Sequence, residues 1–309
     1  MRIGLFALLI LFVLPLNSYP VSETTIRVGG DVTSHFIARD LSLQDTGGAN
    51  SQYEDFVATQ VRLRFDAMAG ENVSGTLRFI NERTFGSPSD DATNTVDLAY
   101  VEMKSCFSSN ASLIIGRQNL RYGNALIIGD PDTNQTSYLS STSLGNFGDL
   151  SLSKSFDAVR LVLDYTPYLI DFIVSKVYEG TTTVNDDITL FGVNMGYAWN
   201  SGYGITEMYF FGSDNAPTVT VKDTNSKTYV LGARTLFPLS EKFILGFEGA
   251  YQFGDYRISA TSHTRLEACA LQMITQYRFL DKMSSKIGLA YTYLSGNDDG
   301  TSNYEGWDP

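Results

Sequence analysis

Arginines and carboxylates recur in this chain at intervals of two. Gln60, Arg62, Arg64 and Asp66 alternate with Val61, Leu63, Phe65 and Ala67, with Val57 continuing the apolar set. Thr76, Arg78 and Glu82 stand against Val73, Gly75, Leu77 and Phe79; Ala158, Arg160 and Asp164 stand against Val159, Leu161, Leu163 and Tyr165; Arg234 follows the same rule in a segment that starts near Tyr229. A guanidinium presents a rigid fork of donors that fits a carboxylate in bidentate fashion. Several such forks on one wetted surface hold a carboxylate-bearing solute through many weak contacts, which suits a conduit because the solute must leave again. The same residues admit a second reading. Paired with Asp66, Glu82 and Asp164, the arginines form ladders that position strands and select nothing. The spacing leaves both readings open.

Other chemistries find little support. Nucleophilic catalysis needs a hydroxyl or thiol beside a base and an orienting group. The two histidines, His35 and His263, lie far apart. Ser34 precedes His35, but strand neighbours face opposite ways, and His263 falls in a Thr/Ser-rich turn. Both read as solvated polar residues. Acidic residues are plentiful enough for a glycosidase pair, yet no spacing singles one out. Asn297-Asp298-Asp299-Gly300 and Asp130-Pro131-Asp132 could face a calcium ion but lack the ligand spacing of a calcium loop. Gly29-Gly30 and Gly47-Gly48 open no helix, so no phosphate cradle follows. Cys106 and Cys269 have no metal spacing and read as isolated apolar residues inside strands, with a disulfide as the alternative in an exported chain. The expectation is no enzyme, no metal and no cofactor.

The elements that carry the alternation are β-strands, in which successive side chains point to opposite faces. Composition agrees: 43% hydrophobic, 18% charged, 18 Tyr, 19 Phe and 27 Gly suit neither a disordered nor a helical chain. A mean hydropathy of −0.08 is too polar for a bundle of membrane helices. The one apolar run, Gly4–Leu16, follows Arg2 and precedes Asn17-Ser18-Tyr19-Pro20; it predicts a signal peptide over 1–22, with an uncleaved anchor as the alternative. From 23 to 309 the rhythm is continuous. About thirteen segments of roughly ten residues each are separated by Gly, Asn, Asp, Ser and Thr clusters. That length fits strands that cross a membrane (~9–11 residues) better than those of a soluble sandwich (~5–6).

Aromatic residues gather at segment ends (Tyr165 and Tyr168, Tyr251 and Phe253, Tyr291 and Tyr293), where a membrane barrel places its interfacial girdles. Short connections at 166–167 and 237–242 alternate with long polar ones at 39–54, 84–95, 120–153, 179–187 and 212–227 and from 294 onward. The predicted fold is an all-β antiparallel transmembrane β-barrel in the bacterial outer membrane, with lipid as its surroundings. Ending as it does at Tyr304-Glu305-Gly306-Trp307-Asp308-Pro309, it reads as incomplete at the C-terminus, since a barrel must close its edges. The net charge of −12 argues against nucleic acid.

Two clusters go further. Ile115-Gly116-Arg117-Gln118-Asn119-Leu120-Arg121-Tyr122-Gly123 and, after a loop, Ser155-Phe156-Asp157-Ala158-Val159-Arg160-Leu161 resemble the alginate-export family of outer-membrane porins. The family carries a GRQ-x-L…YG element ending one strand and an FD-A/G-V-R-L element opening the next. The tail from Tyr304 resembles its Y-x-G-x-D-P element. The resemblance implies a larger barrel of about eighteen strands, an arginine-lined lumen and outward passage of a polyanionic polysaccharide. By position it carries over to Arg117 and Arg160; Arg62, Arg64, Arg78 and Arg234 come from the alternation. The expected function is a channel for anionic polysaccharide or small hydrophilic solutes. The alternatives are a general diffusion or nutrient-uptake porin, a secreted soluble all-β binding protein, and a non-functional fragment.

Overall fold

The computed structural model describes residues 25–40, 53–85, 93–129, 155–178, 188–199, 204–215, 226–259, 262–298 and 300–307. The stretches 1–22 and 130–132, and Asp299, lie outside them. Thirteen strands follow one another: β1 (Thr25–Asp40), β2 (Tyr53–Ala69), β3 (Val73–Thr84), β4 (Thr93–Lys104), β5 (Ala111–Gln118), β6 (Phe156–Tyr165), β7 (Tyr168–Tyr178), β8 (Ile188–Trp199), β9 (Gly204–Asn215), β10 (Ser226–Pro238), β11 (Phe243–Ser259), β12 (Ser262–Arg278) and β13 (Lys286–Leu294). They form a single sheet in chain order, each strand antiparallel to the next. β1 and β13 are its edges.

The register lines residues into lateral rows that explain why the sheet belongs in a membrane. On the outward face, Ile115, Val159, Val174, Phe191, Gly212 and Tyr229 are successive cross-strand partners. The next row is Leu113, Leu161, Phe172, Val193, Phe210 and Leu231, and the one below it runs Leu163, Ile170, Met195, Met208 and Ala233. Phe172, Val174, Met195, Met208 and Leu231 are exposed on it. A wall this apolar is stable only against hydrocarbon. Aromatic pairs mark its two borders. Tyr168 stacks on Tyr197 at 5.0 Å and Trp199 meets Phe237 at 5.5 Å at the short-turn end. Phe210, Tyr229 and Phe253 stack in series, at 6.0 and 5.6 Å, toward the other end.

The hairpin of β11 and β12 extends further than the sequence suggests. Both strands have seventeen residues, and His263 pairs with Arg257 inside it rather than sitting in a turn. The Thr/Ser-rich stretch reads as a turn by polarity, yet β-branched threonine is comfortable in a strand. Cys106 lies in the turn after β4, not in a strand, and both cysteines are free. Beyond β13 the chain folds back onto β12. Tyr304 bridges to Leu266 in parallel, its N–H donating to the Arg265 carbonyl and its carbonyl accepting from Glu267 N–H. Tyr304 also lies flat on Tyr256, 3.6 Å between ring centroids.

Inside the curve, the start of the β5–β6 connection packs on the inner wall. Leu120, Tyr122, Leu126 and Ile128 are buried with Ile173, Phe211, Val230, Leu266 and Ala268. The inner face of β6–β12 is therefore largely covered. The inner face of β1–β4 is polar instead.

Candidate functional site: a charged inner wall and the loop opposite it

On β2 the inward residues are Gln60, Arg62, Arg64 and Asp66, and β3 presents Thr76, Arg78, Ile80 and Glu82 beside them. The register pairs Gln60 with Glu82, Arg62 with Ile80, Arg64 with Arg78 and Asp66 with Thr76. β1 adds Arg27 opposite Asp66, Gly29 opposite Arg64 and Asp31 opposite Arg62. Arg62 Nη2 lies 2.8 Å from Asp31 Oδ2. Arg64 grips Asp66 with Nε and Nη2 at 2.7 and 2.8 Å, and Thr76 Oγ1 donates to the same carboxylate at 2.7 Å. Gln60 Nε2 donates to Glu82 Oε1 at 2.8 Å in a buried pair.

Arg78 reaches a residue that alternation does not find. Its Nε and Nη2 lie 2.5 Å from Asp97 Oδ2, and Asp97 is wholly shielded from solvent. A β-bulge makes this possible. The β3–β4 register jumps so that Arg78 faces Leu98 and Phe79 faces Val96, leaving Asp97 as the extra residue. Two consecutive residues, Asp97 and Leu98, then turn inward; bulges re-aim side chains in this way. Ser155 Oγ sits 3.0 Å from Asp97 Oδ1 and 3.2 Å from Asn119 Oδ1, so the two ends of the long β5–β6 connection meet at this hydroxyl beside the carboxylate.

A second polar row crosses β9–β12: Glu207, Arg234, Glu248 and Gln272 are consecutive partners. Arg234 is ion-paired with Glu207. Glu248 is buried and accepts from Tyr209 Oη at 2.7 Å and from the Asn124 N–H at 2.7 Å, while Arg234 Nε donates to Asn124 Oδ1 at 2.7 Å. Asn124 belongs to the inserted loop, in a turn closed by the Tyr122 N–H donating to the Ile128 carbonyl, so the row holds that turn. Gly123 takes a left-handed φ of 59°, and a Cβ there would fall on the Glu248 carboxylate. A glycine is what lets the loop approach so closely. Nearer the loop base, Arg160 pairs with Asp171 at 2.5 Å and lies 5.9 Å above the Tyr122 ring, a cation–π distance. Leu120 and Tyr122 pack onto the wall, and Arg121 between them is exposed without an ion-pair partner among the described residues.

The sequence-predicted residues therefore separate into three groups. Arg62, Arg64, Arg78 and Asp66 converge with Glu82 on the β2–β3 wall. Arg160 and Arg234 lie on the inner face across from it, each under the loop. Arg117 and Asp164 do not join them. Arg117 is opposite Asp157 at 3.3 Å, between the inward pairs Gln118–Phe156 and Gly116–Ala158, which puts it on the outward face with Ile115 and Val159. Asp164 caps the β6–β7 turn, accepting from Thr166 N at 3.0 Å and Thr166 Oγ1 at 2.6 Å; Asp171, across the hairpin, is the partner of Arg160. Asp31, Asp97, Asp171 and Glu207 escape the sequence reading because no spacing marks them; Glu248 alternates with Leu245 and Phe247 as an inward residue should, yet nothing in that run singles it out. His35 and His263 occupy separate strands, opposite Ala58 and Arg257. Among the described residues, no three His, Cys, Asp or Glu side chains gather as a metal site would require; the Asp298 carboxylate accepts from the Gly300 N–H at 2.9 Å within its own turn.

The comparisons agree with this architecture. The outer membrane channel DcaP of Acinetobacter baumannii superposes with a TM-score of 0.53 at 15% identity, over 87% of this chain and 78% of DcaP. An anion-selective porin from Comamonas acidovorans gives 0.54 at 13% identity, again over 87% and 78%. Pseudomonas aeruginosa OccK2, solved in complex with glucuronate, gives 0.50 at 10% identity over 90% and 66%. At such identities the likeness establishes the fold, that of an outer-membrane β-barrel porin. The curated proteins yield no match. The family model described as alginate export matches residues 21–306, and the chain belongs to that family of bacterial outer-membrane channels.

Proposed function

We propose that the chain is a passive channel for carboxylate-bearing hydrophilic solutes, with an anionic polysaccharide as its substrate class, and that it catalyses no reaction. The observation that carries this reading is the β1–β3 wall. Arg27, Arg62, Arg64 and Arg78 lie on three adjacent strands around Gly29, where a side chain would meet nothing within 4 Å. Arg121 adds a cation on the loop. An arginine held by one carboxylate keeps donors for another, since a guanidinium carries five N–H groups. A row of cations that are each partly satisfied binds weakly at many points, as a moving polyanion requires.

A second reading, a general diffusion porin, is favoured by the pairing itself. Arg62, Arg64, Arg78, Arg160 and Arg234 each have a carboxylate partner, which lowers the net field that a solute meets. Recording from the refolded full chain in a planar bilayer separates the two. In a salt gradient, the first reading expects an anion-selective reversal potential and block by alginate, with glucuronate as a weaker monomeric probe. Conductance with no ion preference and no block would leave the diffusion porin.

A further inference from the structure

One lateral row on the outward face breaks the apolar pattern. Arg117, Asp157, Lys176, Thr189, Asp214 and Lys227 are consecutive cross-strand partners from β5 to β10. The row directly beneath, from Ile115 to Tyr229, contains no charged residue. The transition from hydrocarbon-compatible to charged takes place within two residues on each of six strands. It occurs at the end of the sheet that carries the long connections.

Position fixes what lies against this collar. From Lys176 to Tyr168, whose ring lies in the aromatic border at the short-turn end, β7 runs eight residues. At ~3.4 Å per residue and a tilt of ~40° this is about 20 Å of height, close to the ~25 Å apolar band of an outer-membrane barrel. The collar thus sits at the head-group level of the leaflet on the long-loop side. Two of its cations are braced by carboxylates. Arg117 leans on Asp157 at 3.3 Å, and Lys227 on Asp214 at 3.6 Å with half of its side chain exposed. On β12, Arg265, opposite Asp255, remains 71% exposed beside Glu267. From β5 to β10 three cations stand against two carboxylates, which leaves the row net positive, and Arg265 continues it on β12 opposite Asp255.

We propose that this collar docks the phosphorylated head groups of the surrounding outer-leaflet lipid. Lys227, Arg265 and Lys176 would each take a phosphate oxygen, and the neighbouring carboxylates would hold the cations in place and accept from head-group hydroxyls. Guanidinium and ammonium groups at a membrane surface bind phosphate by charge-assisted hydrogen bonds, and each adds to membrane affinity.

The test uses the refolded full chain in three preparations: phosphatidylcholine vesicles, the same vesicles containing lipid A, and phosphatidylcholine vesicles with inorganic phosphate added. Thermal unfolding of the wild type is expected to shift upward by several degrees with lipid A and not with free phosphate. The triple variant Lys176→Gln, Lys227→Gln, Arg265→Gln should unfold with the wild type in phosphatidylcholine, which shows that it folds, and should lose the lipid A shift. Lys227→Arg with Arg265→Lys should keep it. A triple variant that retains the whole shift, or a wild type that has none, overturns the proposal. An equal response to inorganic phosphate overturns the lipid as occupant.

Discussion

Arg64 of β2 and Arg78 of β3 stand directly opposite each other on the inner face. Like charges so placed ordinarily cost stability. Here each guanidinium is drawn to a different carboxylate: Arg64 to Asp66 on its own strand, Arg78 to Asp97 on the bulge of β4. The two cations stay side by side because their counter-charges lie on opposite sides of the pair. The wall thereby carries its donors without the two groups driving the hairpin apart.

The two halves of this arrangement should respond differently to substitution. Asp97 is fully buried, so Asp97→Asn strands Arg78 beside Arg64 without a counter-charge. The expected loss is ~3–5 kcal/mol in urea unfolding of the refolded chain, the range for breaking a buried pair from one side. Asp31 is about half exposed, so Asp31→Asn should cost about 0–1 kcal/mol. Equal losses would mean that the bulge does not shield Asp97 as described.

Gly29 offers a way to change the wall's charge without disturbing its packing. It faces Arg64, and a side chain there meets open space. Gly29→Glu should therefore fold and place a carboxylate among the arginines. Alginate block is expected to weaken about tenfold, equivalent to ~1.4 kcal/mol, and the reversal potential to move toward cations. Gly29→Gln controls for bulk. If both variants behave alike, charge on this wall does not select the solute.

Much of the fold is legible in the sequence because it follows from a period of two. Residues 57–67 set the inner and outer faces of β2 by alternation alone, and the strand rhythm gives thirteen elements. The site is legible only where that period holds. Asp97 is invisible because a bulge interrupts it. Tyr122 and Asn124 lie in a loop with no period, and Asn124 meets Glu248 at a separation of 124 residues. Arg117 entered through a motif, and its spacing of two from Ile115 sets it on the apolar face, as its register with Asp157 confirms. Asp171 and Glu207 are ordinary strand carboxylates until pairing brings an arginine to each.

The β12–β13 turn, outside the spanning segments, carries a local pH dependence. Asp281 Oδ1 accepts from the Ser285 N–H at 2.8 Å, and this hydrogen bond holds the Asp281 carboxyl below the usual carboxylate range. A depressed folded-state pKa contributes order above the unfolded value, near 4, and that order is lost as pH falls through the lower folded value. Ser285 amide exchange should accordingly be protected at pH 6 and accelerate, relative to neighbouring amides, below about pH 4. Asp281→Asn should remove the acid-dependent step. Persistence of the step in that variant would assign it to another group.

The loop anchor yields the most specific prediction about conduction. Asn124 and Gly123 are fastened to Glu248 on the far wall, and Gly123 alone allows that contact, by its left-handed φ and its missing Cβ. Gly123→Ala meets both obstacles: strain of ~1–2 kcal/mol for the backbone and a methyl group on the carboxylate. The turn around Gly123 and Asn124 should lift off while Leu120, Tyr122, Leu126 and Ile128 stay packed. Expected are larger and noisier single-channel currents with little change in global unfolding. Glu248→Gln keeps one acceptor for the Asn124 N–H and offers its amide N–H to the Tyr209 hydroxyl, which can accept in turn, and should resemble the wild type. Glu248→Leu removes both contacts and should resemble Gly123→Ala. Quiet, wild-type currents from both Gly123→Ala and Glu248→Leu would mean that the apolar base alone sets the loop's position and that the latch at Glu248 has no part in the width of the channel.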